Sequence, residues 1–580
     1  MGAASAGTPS ANAPPLRIGI LIDSHEQPAW VARALEHVLA SPRAELVLVV
    51  RRGLSVTQEP PTDRGRGARV SRFWRKRRVA LAVLYARLDR RLFPVLCDPL
   101  AVVDIEPLVA GCPLIDVVPT ETRFSDLFSD EDAAAIDEYR LDVAVRFGFR
   151  ILRGRALSIA RHGVWSWHHG DNLVNRGGPP GFWEVMQGSP TTGSILQILT
   201  DELDAGEVLY RSWSRTDPRS VHRNRSTYYW KSAAFLERAL RRLHEQGRPL
   251  SAESPKDAPW RPYSHPLYRE PTNGETARGL ARLSARFARD KVWASLRPDQ
   301  WFLAYRIHPQ GADPEVPDTS PYRFRELLPP KDRLWADPFP ALHEGHHWIL
   351  FEERISAGPG RIAAVEVGPS GVIGTPIPVL ERPYHLSYPF IFEWDGATYM
   401  IPETEENRTV ELYRAEDFPT RWTLDRVLLS DLRAVDATLA QIDGRWWMFV
   451  NIAESEEAPL DDELHLYSAD SPLGPWLAHP WNPVKSDVRS ARPAGRPFRF
   501  RGAWYRPSQD CSGRYGAAVV VNRITRLDET AYTETEVGRL LPAWRPNLVG
   551  THTLNAGGGL TVIDAQRLRP RMPFTRKARD

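Results

Sequence analysis

The sequence predicts a multidomain chain, with an N-terminal α/β domain built on a Rossmann-type parallel sheet and a C-terminal all-β five-bladed propeller. Short apolar runs alternate with a helical stretch in the first half, which is typical of strand–helix–strand units. Helical periodicity fades in the second half. That half carries a weak internal repeat with a step of roughly 50 to 60 residues, which is the length of a four-stranded blade.

The apolar runs of the first half are expected to form neighbouring strands of one sheet. Residues 16–23 and 45–50 are separated by the stretch WVARALEHVL, which has the apolar spacing of a helix. Further apolar runs follow at 142–147, 163–167, 193–199 and 207–213. One α/β domain is therefore predicted for residues 15–245, after a disordered tail at 1–14.

A basic insertion, residues 61–93, interrupts this domain. It interleaves eleven Arg and Lys residues with Phe, Trp, Val and Leu, as a basic amphipathic helix would. Two interpretations stay open: a solvated face over an ordinary apolar stripe, or contact with anionic lipid or a lipid-linked phosphate. Beyond the α/β domain we expect a linker and a helix at 246–299, with the helix from about 276.

The internal repeat predicts the propeller, at 300–570, followed by a basic tail at 571–580. Each copy has a polar residue, an apolar strand, a Gly-containing turn and an aromatic strand. The copies lie at 335–353, 386–404, 435–453, 495–510 and 550–565, and their polar starts are Asp337, Tyr388, Asp436, Arg492 and His552. Five copies predict five blades. Asp395-Gly396 and Asp443-Gly444 occupy the positions of hairpin turns.

Charge and composition exclude several classes of protein. The chain has 75 basic and 72 acidic residues and a net charge of +3, so no nucleic-acid partner is predicted. It has no apolar run long enough to cross a membrane and no secretory signal at its start. Three cysteines are too few for a disulfide framework. A cytoplasmic protein is predicted, peripheral to the inner face of the membrane if the basic insertion meets lipid.

No metal site is predicted. His343-Glu344-Gly345-His346-His347 fits the letters of a zinc motif whose two histidines share one face of a helix. Here the stretch falls in a predicted hairpin turn and contains a glycine, so the spacing argument does not apply.

Three blocks of the first half carry a family resemblance. They read LDVAVRFGFRIL (141–152), GVWSWHHGDNLVNRGGPPGFWE (163–184) and GSILQILTDELDAGEVLY (193–210). In this order they resemble the formyltransferase superfamily, over about residues 15–215, and TDELDAG is the most specific match. The resemblance implies transfer of a formyl group from 10-formyltetrahydrofolate to an amine, with a base for the amine proton and donors for the oxyanion.

The resemblance also implies a set of site residues. The family's catalytic His and Asp fall on His168 and Asp204, and Ser166 stands at the position of the family's Asn. The cofactor-binding residues would be Gly148, Phe149, Arg150, Ile151, Leu152, Thr200, Asp201, Glu202 and Leu203. The substrate-binding residues would be His169, Asp171 and Arg176.

Two departures from the family pattern bear on function. Ser166 replaces an oxyanion donor whose loss costs about 10²–10³ in rate. His169-Gly170-Asp171-Asn172-Leu173 replaces the usual residues after the His. Three outcomes stay open: working formyl transfer, another transfer or hydrolysis in the same cleft, and a degenerate domain.

The second half resembles a different group. WADPF, HLSYPF, MIPET and YRPSQD look like the N-terminal region of plant glucosamine inositolphosphorylceramide transferases, and the blade pattern resembles furanosidase-type glycoside hydrolases, over about residues 300–570. A site at the centre is predicted from Asp337, Glu352, Glu403, Asp436, Arg492, Asp510 and His552. Asp337 would be the base or nucleophile, Glu403 the acid and Asp436 a tuning charge. Alternatively, these carboxylates only cap backbone donors.

The two halves together predict a formyltransferase-like enzyme. It would N-formylate an amino sugar, either a sugar nucleotide or a lipid-linked glycan, with a carbohydrate-binding or carbohydrate-processing propeller, in bacterial surface polysaccharide or glycolipid assembly. In the alternative, the propeller is a glycosyltransferase or glycoside hydrolase and the first domain is a degenerate binding module. In a third interpretation the protein only recognises a glycan or lipid headgroup.

Overall fold

The structure, a computed structural model, describes residues 13–53, 77–202, 204, 206–247, 249, 263–355 and 358–569. The chain divides into two compact units, Met1–Ser284 and Ala285–Asp580, which we call the first and second units. The helix Asn273–Leu296 contains the boundary between them. The predicted domain limits at 245 and 300 stay predictions.

A seven-stranded sheet forms the centre of the first unit. In spatial order its strands are Val208–Arg215, Thr191–Ile198, Val164–His168, Val143–Arg146, Leu16–Ile22, Ala44–Arg52 and Leu114–Val117. The last five strands are mutually parallel. Strand Thr191–Ile198 runs antiparallel to its neighbour Val164–His168, and Val208–Arg215 runs antiparallel to Thr191–Ile198. Ile18, Ile20 and Ile22 pack into one apolar cluster and Leu21 into another, so the strand is buried on both faces. That is the pattern of a parallel sheet covered on both sides, and it confirms the predicted N-terminal α/β domain.

Helices and short strands complete the first unit. The helices are Ala29–Leu39, Ala80–Leu92, Glu106–Val109, Asp130–Asp137, Phe182–Gln187, Val221–Ser232, Phe235–Gln246 and Asn273–Leu296, with a 3₁₀ turn at Gly154–Ser158. The short strands are Glu26–Pro28 with Val102–Asp104, and Thr120–Glu121, Ser125–Leu127 and Ile151–Arg153.

Two predicted helical segments differ from the structure in their bounds. Within the predicted insertion the described helix is Ala80–Leu92, and residues 61–76 lie outside the described residues. The helix predicted from residue 276 begins at Asn273. Thr272 and Glu275 cap it reciprocally, because the Glu275 carboxylate accepts from the Thr272 backbone N–H and the Thr272 hydroxyl accepts from the Glu275 N–H.

Five antiparallel sheets form the second unit. Sheet I contains Arg333–His343, His346–Ile355, Gly360–Gly368 and Gly371–Leu380; sheet II contains Ser387–Trp394, Ala397–Thr404, Thr409–Asp417 and Arg421–Ser430. Sheet III contains Ala434–Ile442, Arg445–Ile452, Glu463–Ala469, Leu477–Ala478 and Lys485–Ser486. Sheet IV contains Phe498–Phe500, Ala503–Asp510, Ala518–Asp528 and Ala531–Leu540. Sheet V contains Arg325–Leu327, Asp299–Ile307, Leu560–Leu568, Leu548–Gly550 and Leu554–Gly557. Two 3₁₀ turns, Pro321–Arg323 and Glu405–Asn407, accompany these strands.

Apolar layers join each sheet to the next and close a ring. Leu303 of sheet V packs with Ile349 of sheet I. The other layers join sheets I and II, II and III, III and IV, and IV and V. The ring is a propeller-like arrangement, in agreement with the predicted fold of the second half. Sheet V joins distant parts of the chain, because strand Asp299–Ile307 pairs with strand Leu560–Leu568.

The first hairpin of each of sheets I to III follows the predicted repeat. The predicted turns Asp395-Gly396 and Asp443-Gly444 have φ of 48° and 71°, and of 51° and 83°. Left-handed φ at both central residues is the geometry that lets a two-residue turn match the strand twist. Among the described helices, none combines the length and apolarity that crossing a bilayer requires.

Candidate functional site

A repeated β-bulge turns one polar residue of each first strand out of register. The pairing of the first two strands shifts between Ala336 and Phe339 in sheet I, and at the equivalent points of sheets II and III. The bulged residues are Asp337, Tyr388 and Asp436, with φ of 50°, 44° and 57°. Such φ values are strained for residues other than glycine and concentrate at functional sites. The repeat therefore preserves a costly local geometry at three of the predicted polar starts.

His552 and Asp564 of sheet V form the most tightly connected pair of this region. His552 Nδ1 lies 2.6 Å from Asp564 Oδ2, and the other carboxylate oxygen accepts from the backbone N–H groups of His552 and Thr553. The Asp337 backbone N–H also donates to Asp564. Asp564 is thus the acceptor that fixes both His552 and the bulge of Asp337.

Aromatic rings and carboxylates surround the His552 imidazole. It stacks on Trp301 with ring centroids 4.1 Å apart, and Tyr515 meets it edge-on. Its Nε2 lies 3.7 Å from Asp337 Oδ1. Burial alone would lower the pKa of His552, but the charges of Asp564 and Asp337 outweigh burial and raise that pKa to about 9. His552 is therefore a fixed cation at neutral pH.

Arg492 joins two further carboxylates of the ring. Its Nε lies 2.5 Å from Asp436 Oδ2, and its Nη2 lies 3.4 Å from Glu403 Oε2. Gln509 donates to the same Asp436 oxygen at 2.8 Å and holds it from the other side. The guanidinium also lies over the Tyr515 ring, 5.1 Å from its centroid. Sheets II, III and IV thus contribute to one buried charge network.

The buried carboxyl groups of this network differ in their protonation. Burial raises the pKa of Asp337 to about 6, although His552 opposes the shift. Burial and the charge of Asp337 raise the pKa of Glu352 to about 8. Burial and the charge of Asp436 raise the pKa of Glu403 well above its ordinary value, against the pull of Arg492. At neutral pH, Asp337 is thus mostly ionised and Glu352 mostly protonated, and the pKa of Glu403 is shifted in the same direction as that of Glu352.

Glu352 and Glu403 occupy equivalent places on the second strands of sheets I and II. Each pairs with the residue just before a bulge, Ala336 and Ser387 respectively. His385 Nε2 lies 3.5 Å from Glu352, and His385 Nδ1 accepts from the Gly360 backbone N–H, so Nε2 carries the ring proton. The repeat therefore delivers one carboxyl from each of two second strands toward the bulged residues.

One predicted residue of this cluster is engaged elsewhere. Asp510 pairs with Arg539 at 2.5 Å, and its other oxygen accepts from the Ser512 N–H. These contacts lie with Arg539 and Ser512, and the role of Asp510 in the central site stays a prediction. Asp564, Tyr515 and Trp301 were missed. A signal for Asp564 existed, because a carboxylate within the apolar run LTVIDA needs a buried partner.

Two sets of residues have the composition of a metal site. Ligand atoms of Asp337, His552 and Asp564 lie within 4.8 Å of one another, and His552 Nδ1 lies 2.6 Å from Asp564. The stretch 343–347 is a hairpin turn, with positive φ at Glu344 and Gly345, and His346 pairs with Glu366. The prediction of no metal site stays a prediction.

In the first unit, His168 and Asp204 do lie together. His168 Nδ1 is 3.4 Å from Asp204 Oδ2, and both side chains are largely buried. The other ring nitrogen, Nε2, lies 2.7 Å from the backbone carbonyl of Asn175. Since a carbonyl only accepts, Nε2 carries a proton and is occupied. A base needs a free nitrogen toward the substrate, and this imidazole has none to offer.

Ser166 does not face a reacting group either. It is buried, its hydroxyl oxygen accepts from Arg146 Nε at 3.1 Å, and Arg146 also donates to the Arg150 carbonyl. An oxyanion donor has to aim its hydrogen at the substrate. Binding of 10-formyltetrahydrofolate stays a prediction, but the residues around His168 and Ser166 do not fit its use as a formyl donor.

The predicted substrate-binding residues are also held by the protein itself. His169 is half-buried, stacks on Tyr229 at 3.8 Å, and desolvation of its ring lowers its pKa well below the ordinary value. Asp171 pairs with Arg211 at 2.7 Å and accepts from Trp213. Arg176 lies over the Tyr263 ring. Whether these three residues hold a substrate stays a prediction.

The predicted cofactor loops have structural partners. A side chain at Gly148 would meet the Asp23 backbone N at 2.3 Å, and Phe149, with φ of 63°, donates its N–H to Asp23. Arg150 pairs with buried Asp126, while Ile151 and Leu152 begin a short strand. Asp201 and Glu202 are exposed, Thr200 donates to the Glu202 carbonyl, and Leu203 lies outside the described residues. Whether these residues bind a cofactor stays a prediction.

The family match and the matches to individual proteins point to the same group of proteins. Residues 330–555 match the family described as glucosamine inositolphosphorylceramide transferase 1, N-terminal. Proteins named glucosamine inositolphosphorylceramide transferase 1 from Oryza sativa subsp. japonica and from Arabidopsis thaliana are each 35% identical over 247 residues. The match covers 40% of this chain, and 33% and 32% of theirs. The chain thus spans about a third of the length of these curated relatives.

Solved structures similar to the chain come from two groups. They include a family 117 glycoside hydrolase from Zobellia galactanivorans (14% identity, TM-score 0.30, 46% of this chain and 90% of that chain) and a thermostable family-43 glycoside hydrolase (15%, 0.27, 35% and 75%). Glycinamide ribonucleotide transformylase 1 from Symbiobacterium toebii is similar at 13% identity and TM-score 0.27, over 42% of this chain and 93% of that chain. Scores this low carry no fold assignment.

The named relatives overturn the main functional prediction. They are glycosyl transferases and not formyltransferases, so the prediction of N-formylation of an amino sugar is wrong, and the alternative that assigns glycosyl chemistry to the propeller agrees with them better. They are also plant proteins, which gives the predicted bacterial pathway no support. The similarity to this family in the second unit, predicted from WADPF and its companion motifs, is confirmed. It covers less than half of the chain.

Proposed function

We propose that the second unit acts on a glycosyl group at the buried network of Asp337, Glu352, Glu403, Asp436 and Arg492. The observation that carries this is the divergence of protonation among its carboxyl groups. A glycosidic bond breaks when one group donates a proton to the leaving oxygen and another assists the attacking oxygen. The network offers an ionised carboxylate in Asp337 and carboxyl groups with raised pKa values in Glu403 and Glu352.

Each group of the network has a role in the proposed glycosyl step. The Glu403 carboxyl gives its proton to the oxygen that leaves the anomeric carbon. Asp337 accepts the proton of the attacking hydroxyl, while that oxygen forms its bond to the same carbon. Asp436 keeps Glu403 protonated through its charge, and Arg492 holds Asp436 in place. The step is hydrolysis when water attacks and glycosyl transfer when an acceptor hydroxyl attacks.

The names of the relatives support transfer and indicate a class of acceptor. They name an inositolphosphorylceramide, so the acceptor proposed here is a lipid-linked glycan with a free hydroxyl. Of the two partners predicted from the sequence, a sugar nucleotide and a lipid-linked glycan, the proposal keeps the lipid-linked glycan as acceptor.

The test separates the two carboxyl roles by leaving group. The leaving oxygen of an unactivated glycoside needs the proton from Glu403, whereas the nitrophenolate of a nitrophenyl glycoside departs with little protonation. We expect Glu403→Gln to lose about 10³-fold in kcat/KM on an unactivated glycoside and far less on its nitrophenyl counterpart. Asp337→Asn should lose about 10³-fold on both. Release of sugar and transfer to inositolphosphorylceramide would be measured by mass spectrometry.

A neighbouring carboxylate supplies the control. Glu353 is as buried as Glu352 but accepts from Trp335 and pairs with Arg333 and Arg361, outside the network. Glu353→Gln should lower stability and leave kcat/KM per folded molecule unchanged. Equal losses for Glu353→Gln and Glu403→Gln, or full activity of Asp337→Asn, would overturn the proposal.

A further inference from the structure

The helix Ala80–Leu92 presents its apolar side chains outward. Leu84, Leu88 and Leu92 are 53%, 49% and 69% exposed, and their spacing of four residues places them in one stripe. The opposite face turns the carboxylate of Asp89 inward, at 3% exposure. A surface helix of a water-soluble protein ordinarily buries its apolar stripe and exposes its charges. This helix does the reverse.

The arrangement is held firmly by the first unit. Asp89 accepts from the His222 backbone N–H at 2.8 Å, and the Asn273 side chain accepts from the Leu81 N–H at 2.9 Å. The Tyr85 ring packs edge-on against Phe182. Because these contacts fix the rotation of the helix about its axis, the leucines stay on the outside.

Positive charge flanks the stripe. Arg87 and Arg91 are exposed and follow the same four-residue spacing beside Leu84 and Leu88. Neither arginine has an ion-pair partner among the residues that the structure describes, whereas Arg90 pairs with Asp98. Arg78, just before the helix, is exposed as well. The outward face therefore combines an apolar stripe with unneutralised cations.

We propose that this face, Leu84, Leu88 and Leu92 with Arg87 and Arg91, binds the surface of a bilayer that contains anionic lipid. Leucine side chains at this spacing enter the boundary between headgroups and acyl chains, and arginines beside them reach lipid phosphates. Charge complementarity selects the anionic lipid surface as occupant. The inference concerns the first unit and does not depend on the proposed function of the second.

Vesicle sedimentation of the full chain tests this directly. We expect binding to phosphatidylcholine vesicles with about a third phosphatidylserine, weak binding to phosphatidylcholine alone, and a loss of binding at high salt. Leu84→Ser with Leu88→Ser should weaken binding at least about tenfold. The matched control is Leu39→Ser with Leu114→Ser, two leucines of the same unit that are 44% and 43% exposed and lie off this helix; it should bind as the unaltered chain does.

A second pair of variants tests the charges. Arg87→Gln with Arg91→Gln should weaken binding roughly fivefold per arginine and flatten its salt dependence, while the circular dichroism spectrum and melting temperature stay unchanged. Three results would overturn the proposal: no binding of the unaltered chain to anionic vesicles, equal loss in the leucine control, or a dimer of the unaltered chain that the Leu84 and Leu88 changes dissociate without any effect on lipid.

Discussion

The molecule contains two buried histidine–aspartate pairs, one in each unit, and their surroundings differ. In the first unit His168 Nδ1 is 3.4 Å from Asp204 Oδ2, and the other ring nitrogen, Nε2, hydrogen-bonds to the Asn175 backbone carbonyl. In the second unit His552 is 2.6 Å from Asp564, stacks on Trp301 and faces Asp337. The first histidine is enclosed by polar groups that satisfy it. The second is a buried cation that organises carboxylates from neighbouring sheets.

A buried histidine–aspartate pair alone therefore does not define a catalytic site. What decides is whether a nitrogen or an oxygen is left facing a space that a substrate can enter. His168, Ser166 and Asp171 are engaged by other groups of the protein, as is Nδ1 of His169, whereas Nε2 of His169 has no hydrogen-bond partner among the described residues. In the central network Asp337 has a strained backbone φ, and Glu403 occupies a position equivalent to that of Glu352. Strain of that kind is retained where function needs it.

The largest effect expected from the comparison is on stability. Asp564→Asn removes the charge that balances buried His552, and breaking such a pair costs about 3–5 kcal/mol. Asp204→Asn, in the longer and looser pair, should cost about 1 kcal/mol. Hydrogen exchange resolved by peptide reports each unit separately, and Asp395→Asn, in an exposed turn, is the control. Equal costs at Asp564 and Asp204 would show that the two pairs are energetically alike.

A second effect concerns pH. The folded-state pKa of Glu352, about 8, lies above its unfolded value near 4.5, and that of His552, about 9, lies above 6.5. In both cases the folded state binds the proton more tightly. The stabilisation is therefore complete below the unfolded pKa values and is lost as pH rises through 8 and 9.

The second unit should thus lose free energy of unfolding between pH 5 and pH 9, by at most about 7 kcal/mol from these two groups. Glu352→Gln should flatten the part of this slope below pH 8, and Glu353→Gln should leave the slope unchanged. Exchange rates of the peptide that contains Leu560–Leu568, followed across this pH range, measure it. Stability that rises with pH in this window would contradict the protonated state assigned to both groups.

The smallest effect is expected from the first unit's histidine. His168→Ala leaves the Asn175 carbonyl without its donor, which should cost the first unit about 1–2 kcal/mol. Glycoside or transfer activity of the second unit should not change. A loss of that activity without unfolding would mean that His168 takes part in the chemistry after all.

The sequence predicted the larger architecture because local patterns carried it. Alternating apolar runs predicted the α/β sheet, and the repeat with its Asp-Gly turns predicted the ring. Two of the polar starts of the repeat, Asp337 and Asp436, are bulged residues in the structure. Register and hairpin geometry follow from residues close in sequence, which makes them readable.

Partners distant in sequence could not be predicted in this way. Asp510 was predicted to lie at the centre, yet its carboxylate pairs with Arg539, and the local sequence pattern does not indicate that pairing. His168 matched a family position, yet the Asn175 carbonyl occupies its ring nitrogen. A backbone carbonyl is offered by every residue, so residue identity says nothing about which one will compete. Hydrogen-bond satisfaction is a property of the folded neighbourhood.

The pairing of strand Asp299–Ile307 with strand Leu560–Leu568 governs the order in which the second unit can be assembled during synthesis. Sheets I to IV emerge from the ribosome while the early strand still waits for its partner. Trp301 then lacks the His552 ring, and Asp337 lacks Asp564, until the final stretch has been translated. Closing so long a loop is slow. A nascent chain that lacks residues 548–568 therefore has no complete charge network.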